Sequence, residues 1–307
     1  MPRVAFLGLG AIGTPMARHL ASDPDALVVW NRTAQRAEAF GASHGVRVAG
    51  TPADAARSAD IVITCLPTSR EVESLLAGPG GLLEGLGAGT VFVDCTSGDP
   101  ETSARIAARL APLGVSFLDA PVSGGTAGAE SASLTVRGGG DAAVLEQVRP
   151  VLQCFGKKIV HCGPIGAGHA LKAVNNAMLA THIWATAEGL AIAAKAGVDP
   201  AIALDVINAS SGRSNASMNL FPERVLSRAF PRTFRLALLD KDVGIAADVA
   251  RSTRVPAPLL QLTAELFRLA HDALGDEADH VEAVRIVEQW ARVTLAPQTA
   301  DRRERLT

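Results

Sequence analysis

The chain has 307 residues, 48% of them hydrophobic and 20% charged, an ordinary balance for a soluble globular protein long enough to build two cores. A net charge of −2 excludes broad electrostatic capture of nucleic acid or of an anionic membrane surface. The opening MPRVAFLGLG is too short and too soon broken by glycine for a signal peptide, and no stretch approaches a charge-free membrane span. Cys65, Cys95, Cys154 and Cys162 contain no C-x-x-C and suggest neither a disulfide framework nor a zinc cage, so a reduced, cytoplasmic protein without a resident metal is expected.

In chain order, short β-rich runs alternate with helical ones up to about residue 162. VAFLG, ALVVW, DIVITCL, TVFVD, VSFLD, SLTVRG and KKIVHC predict strands; 14–21, 34–43, 70–76, 101–110 and 141–152 predict helices. That alternation predicts an α/β fold with a doubly wound, mainly parallel sheet. After GPIGAG the strand signal stops. Residues 169–196 read as one long helix closed by Gly197, followed by helices over 200–209, 216–227, 236–252, 258–274 and 277–293, with Asp199 as a cap for the first of these. The expected division is a sheet domain over 1–163, an all-α domain over 164–296, and a tail over 297–307 whose RRER run reads as a solvated end.

The first motif is GLGAIG, a G-x-G-x-x-G that follows a strand and opens a helix. Gly8, Gly10 and Gly13, with Ala11 and Ile12 between them, are therefore candidate contacts for a dinucleotide pyrophosphate at the helix N-terminus. About 20 residues on, where NAD sites place an acidic residue for the ribose hydroxyls, stand Asn31, Arg32 and Thr33. A guanidinium between two short polar groups suits a 2′-phosphate, which favours NADP(H) over NAD(H); the alternative is a solvated arginine. Two later strand ends, TCLPT and DCTSG, bring Leu66, Pro67 and Thr96 toward the same edge, as cofactor contacts or as ordinary turns.

The chemistry is narrowed partly by absence. The chain has no tyrosine, which rules out a tyrosine–lysine proton relay. No Cys/His cluster offers catalytic zinc, and no histidine lies in a motif that marks it as a base. The run GHALKAVNNAMLA sets Lys172 on an otherwise apolar helix with Asn175 and Asn176 one turn later on the same side. Burying an unpaired ammonium is costly. Either the helix lines a site, with Lys172 as proton donor and Asn176 holding its ammonium or a substrate oxygen, or the cluster closes a buried hydrogen-bond network. DAPVSGG ends in Ser123, Gly124 and Gly125, a compact anion site for a carboxylate or a plain tight turn. In LLDKDVGIA, Lys241 and Asp242 form either a solvated stripe or a second cation returning to the site.

GLGAIGTPMA, DAPVSGGTAGA, GAGHALKAVNN and KDVGIA, in that order, resemble the motifs of the β-hydroxyacid dehydrogenase family, the 3-hydroxyisobutyrate dehydrogenase group, from Val4 to about Trp290. The resemblance implies an N-terminal Rossmann domain, an all-α C-terminal domain joined to it by the long helix, and homodimers or homotetramers formed largely through the helical part. It implies that Lys172 is the catalytic lysine with Asn176 assisting, facing a cleft between the domains. Ser123, Gly124 and Gly125 would bind the substrate carboxylate, Lys241 would stand at the cofactor and substrate cleft, and Thr96 would contact the cofactor. WNRT resembles the NADPH-using members, whereas the valine-catabolic ones typically carry aspartate there, so the implied substrates are small semialdehydes. The implied activity is hydride transfer between NADP(H) and a small 3- or 4-hydroxy acid or semialdehyde, with a lysine general acid/base. Two rivals stand beside it: an imine reductase-like relative, which lacks the helix lysine, and a catalytically silent NADP-binding module, which would be expected to lose Lys172 or the SGG turn.

Overall fold

Alternating side-chain direction builds the first half of the molecule. In the computed structural model, which describes residues 2–297, the strands are β1 (Val4–Leu7), β2 (Leu27–Trp30), β3 (Arg47–Val48), β4 (Ile61–Thr64), β5 (Val91–Asp94), β6 (Ser116–Asp119), β7 (Val122–Ser123), β8 (Leu134–Gly139) and β9 (Gly156–Gly163). They form one sheet in the order 3-2-1-4-5-6-8-7, with β9 beside β8. From β3 to β6 the pairing is parallel; β8 runs antiparallel to β6 and β7, and β9 parallel to β8.

The helices between them are α1 (Gly13–Leu20), α2 (Ala34–His44), α3 (Pro52–Ala56), α4 (Ser69–Leu76), α5 (Pro100–Leu110), α6 (Gly125–Glu130) and α7 (Ala142–Leu152). Val4, Phe6, Val29, Ile61, Ile63, Val91 and Val93 point to one sheet face, under Met16, Phe40, Leu145 and Val148. Their neighbours Ala5, Leu7, Val28, Val62 and Phe92 point to the other, under Val72, Leu76, Ile106 and Leu110. Strands buried on both faces read as unbroken apolar runs, and each fully buried Leu or Phe contributes about 2 kcal/mol. The doubly wound, mainly parallel sheet expected from the sequence is the one observed. β3, α3 and β7 escaped the sequence reading because two to five residues are too few to show a period.

The chain divides into two compact units, Met1–Ala173 and Val174–Thr307. The division falls within α8 (Ala167–Lys195), and the second unit continues with α9 (Pro200–Asn208), a π-helical segment (Ala216–Leu226), α10 (Leu236–Ser252), α11 (Pro258–Leu274) and α12 (Val284–Ala291). Asp199 caps α9 as expected, its Oδ1 accepting from the Ala201 N–H at 2.8 Å. The stretch read as an ordinary helix over 216–227 is widened to π geometry around Pro222, which has no N–H for the α ladder. The helix expected over 277–293 is also shorter. Asp279 and Glu282 form a capping box around the tight turn His280–Ala283, and α12 begins only at Val284.

By length and composition α8 is apolar enough to cross a membrane, although Lys172, Glu188 and Lys195 keep any stretch of it from being a charge-free span. Ala177, Ala180, Ile183, Ala187 and Leu190, at helical spacing along it, are buried by protein. The tail expected over 297–307 lies, from residue 298 on, outside the described residues.

The turn from β1 into α1 depends on two glycines. Gly8 has φ +110°, and a Cβ there would sit 2.3 Å from the Cys65 carbonyl oxygen; a Cβ on Gly13 would sit 1.9 Å from the Gly8 carbonyl oxygen. Both contacts are with backbone, which cannot swing aside. Gly13→Ala is expected to destabilise the protein by on the order of 2 kcal/mol, read as a lower melting temperature by circular dichroism. An unchanged melting temperature would mean that the loop absorbs a side chain there.

Candidate active site

The carboxyl ends of four strands make one edge. Leu7 is in register with Trp30 and Thr64, and Thr64 with Asp94, so the residues just past them come together. Thr64 donates its hydroxyl to Asp94 Oδ1 at 2.8 Å, and the Thr96 N–H donates to the same oxygen at 3.0 Å. Thr96 Oγ1 in turn accepts the Leu66 N–H at 3.1 Å. Thr96 is only 1% exposed, so its hydroxyl serves the turn that holds Leu66, while Pro67 is exposed beyond it.

On the neighbouring strands, Asn31 ties two loops together: its Oδ1 accepts the Leu9 N–H at 2.9 Å and its Nδ2 donates to the Thr33 carbonyl at 3.0 Å. Arg32 and Thr33 are exposed at the start of α2, where Thr33 occupies the cap position without capping through its side chain. Arg36, one turn after Arg32 on α2, is also exposed.

A dinucleotide fits this edge. A Cβ built on Gly10 meets nothing within 4 Å, in contrast to the crowded Gly8 and Gly13. The middle glycine therefore leaves open space in front of the α1 N-terminus, where a pyrophosphate is stabilised by backbone N–H groups. Ala11 is exposed and Ile12 half-buried on the same turn.

Beyond β5 the edge turns chemical. Asp119, at the end of β6, is wholly buried; its Oδ1 accepts the Gly166 N–H at 2.6 Å and its Oδ2 the His169 N–H at 2.9 Å. Burial pushes its carboxyl above the ordinary aspartate value, and the N–H donors pull the other way. The His169 ring makes the second anchor. A carbonyl can only accept, so Nε2 carries the proton toward the Thr96 oxygen at 2.9 Å, leaving Nδ1 facing Ser103 Oγ at 2.7 Å. His169 is thus a satisfied core residue, and together with Asp119 it fixes the first turn of α8.

One turn further along, Lys172 Nζ donates to Ser123 Oγ at 3.1 Å. Ser123 sits on β7 opposite Thr135, and Gly124 and Gly125 follow with φ +138° and +64°, backbone that a side chain would strain. The structure therefore brings Lys172, Ser123, Gly124 and Gly125 together. It adds Arg137 of β8, absent from the sequence reading, whose Nη1 donates to Ser123 Oγ at 2.7 Å.

In the second unit, Asn176 is 4% exposed and donates Nδ2 to Asp242 Oδ2 at 2.6 Å. A carboxylate only accepts, so this bond sets which way the amide points, and Oδ1 is left to accept from Asn175 Nδ2 at 3.2 Å. Lys241 Nζ pairs with Asp242 Oδ1 at 2.8 Å. Asp242 is 2% exposed, which corrects the reading of this pair as a solvated stripe.

Two family models match the chain: the NAD binding domain of 6-phosphogluconate dehydrogenase over residues 3–163, and the NAD-binding domain of NADP-dependent 3-hydroxyisobutyrate dehydrogenase over residues 166–287. The chain is 35% identical over 292 residues to the 2-(hydroxymethyl)glutarate dehydrogenase of Eubacterium barkeri, covering 95% of this chain and 96% of that one. It is 35% identical over 275 residues to the NAD-dependent L-serine dehydrogenase of Pseudomonas aeruginosa, covering 88% and 92%. The solved structure of Mycobacterium tuberculosis 3-hydroxyisobutyrate dehydrogenase with L-serine superposes with a TM-score of 0.85 at 32% identity, covering 94% of this chain and 99% of that one.

Asp119→Ala strips the Gly166 and His169 N–H groups of their acceptor in a buried place. The expected loss is about 2–4 kcal/mol of stability by urea unfolding, since each buried donor left unmet carries its desolvation cost. Wild-type stability in this variant would assign the start of α8 to the His169 ring alone.

Proposed function

The chain belongs to the 3-hydroxyisobutyrate dehydrogenase family of NAD(P)-dependent hydroxyacid dehydrogenases, and on that premise we propose that it interconverts a small 3- or 4-hydroxy acid and its semialdehyde with NADP(H), using Lys172 as general acid/base. It is an oxidoreductase of CH–OH groups with a nicotinamide cofactor. The observation that carries the finer reading is the Lys172 ammonium at 3.1 Å from the Ser123 hydroxyl, beside the exposed Gly124 and Gly125.

When bound, the nicotinamide supplies or accepts the hydride. In this reading the α1 N-terminus and Gly10 hold the pyrophosphate. Arg32, with Thr33 and Arg36, offers the 2′-phosphate a guanidinium fork at a helix start whose N–H groups the Thr33 side chain does not cap. Thr96 acts from behind by holding the Leu66–Pro67 turn against the cofactor edge, and Asn31 holds the glycine loop.

The substrate carboxylate lies on Ser123, Gly124 and Gly125. Lys172 gives a proton to the nascent alkoxide in reduction, or takes it from the hydroxyl in oxidation, and its charge stabilises the developing oxyanion. Asn176 follows Lys172 by one turn of α8, with its amide set by Asp242, and it assists by presenting a fixed dipole. Lys241, held by the same Asp242, is the second cation assigned to the substrate and cofactor.

The test is a rate screen with NADPH and NADH against methylmalonate, tartronate and succinic semialdehydes and glyoxylate. Turnover with NADPH on one of the three semialdehydes is expected, whereas turnover on glyoxylate alone, which yields a 2-hydroxy acid, would count against the 3- or 4-hydroxy reading; Lys172→Ala should lower kcat by about 100-fold or more while NADPH still binds. Retained turnover would remove the lysine from its role. Silence of the wild-type protein across the panel with NADPH bound would favour a catalytically silent module. Arg32→Asp should raise the KM for NADPH by about 10- to 100-fold and spare NADH, as expected for loss of a charge-assisted contact. Equal effects on both cofactors would defeat the NADP assignment.

A further inference from the structure

We propose that Arg137 is the carboxylate anchor of this site, the residue that selects a substrate ionised at its acid group; the inference rests on the hydroxy-acid reading above and names a residue for it.

Val136 is in register with Val122 and Ser123 with Thr135, so Thr135 and Arg137, two apart on β8, stand on the sheet face that carries Ser123. The burial pattern along β8 agrees: Leu134 and Val136 are buried, Thr135 and Arg137 only partly. From there the guanidinium reaches diagonally to Ser123 Oγ at 2.7 Å. No carboxylate pairs with it among the described residues, and loss of water lowers its pKa from the ordinary arginine value. A half-buried guanidinium whose protein partner is a neutral hydroxyl is an unusual expense for a fold, because arginine is seldom taken out of water without an anion.

Ser123 Oγ also accepts from Lys172 Nζ at 3.1 Å, so one hydroxyl oxygen is bracketed by two cations. Like charges this close repel, and the repulsion grows as water is excluded. An anion placed against the pair turns that repulsion into attraction. With both Ser123 lone pairs occupied by donors, its own proton is directed away from them and becomes a further donor. The remaining N–H groups of the guanidinium form a planar fork that matches a carboxylate in two parallel bonds.

The two cations divide the work. Lys172 has to deliver or receive a proton at the reacting oxygen, which a tight bond to the carboxylate would hinder. Arg137 cannot give up its proton at working pH and is suited to hold the acid group while the lysine acts.

Arg137→Met and Arg137→Lys test this with NADPH and two substrates of one skeleton, a semialdehyde acid and its uncharged methyl ester. Arg137→Met should raise the KM for the acid about 100-fold with kcat changed little and leave the ester unaffected, so that the preference for the ionised form collapses. Arg137→Lys should recover part of it, because charge returns without the fork. Acid and ester falling together, or neither changing, would overturn the proposal and make Arg137 a strut between β7 and β8. Calorimetry with succinate, an unreactive carboxylate, on the NADP-bound protein needs no turnover. Binding by wild type and its loss in Arg137→Met support the anchor. Equal binding by both, or none by wild type, overturns it even if the semialdehyde screen has already failed on its own account.

Discussion

A carboxylate buried at the end of a strand has to be met by donors, and Asp119 is met by the N–H groups of Gly166 and His169 at the opening of α8. This bond settles where the long helix begins. A helix starts with unsatisfied N–H groups and a partial positive charge, so a carboxylate there relieves both, while the helix start offsets the cost of burying the acid. His169 repeats the attachment through its ring, to the Thr96 carbonyl past β5. Gly168 lets the chain come this close, for a Cβ on it would sit 2.2 Å from the Arg137 carbonyl oxygen. With the first turn fixed to two strand ends, the position of Lys172 one turn on follows from helical geometry.

The same edge explains why the polar residues of the sheet cluster as they do. Within β4 and β5 the side chains are apolar and buried on both faces until the last positions, Thr64 and Asp94, which bond to each other. From Asp94 a chain of hydrogen bonds runs through the Thr96 backbone and hydroxyl to Leu66. These bonds hold the turns beyond the strands at fixed depth. This edge of the sheet is thus shaped from behind by buried polar groups, whereas Arg32 and Pro67 are left exposed. A binding surface of that kind is rigid because its supporting bonds are shielded from water.

Charge is distributed unevenly between the two units. In the first, Lys172 and Arg137 converge on a neutral serine. In the second, Lys241 and Asn176 converge on an acid, Asp242. The first arrangement sets two cationic donors on one hydroxyl oxygen; in the second, an amide and an ammonium share one carboxylate.

By itself the sequence determined the alternation of strands and helices, the glycine turn, the long helix with its lysine, and the SGG turn. All of these are local: a period of two or 3.6 residues, or a motif a few residues long, is printed in consecutive positions. It left open whether Lys172 met a site or a buried network, and whether Lys241 and Asp242 were merely solvated. Only the tertiary structure decided that Asp119 holds the start of a helix 47 residues away, that Asn176 is set by Asp242 66 residues away, and that Arg137 shares a hydroxyl with Lys172. These pairings depend on strand order, register and helix packing, which place distant residues side by side. No local period records them, because a buried polar group is satisfied by whatever the fold brings to it rather than by its neighbours along the chain.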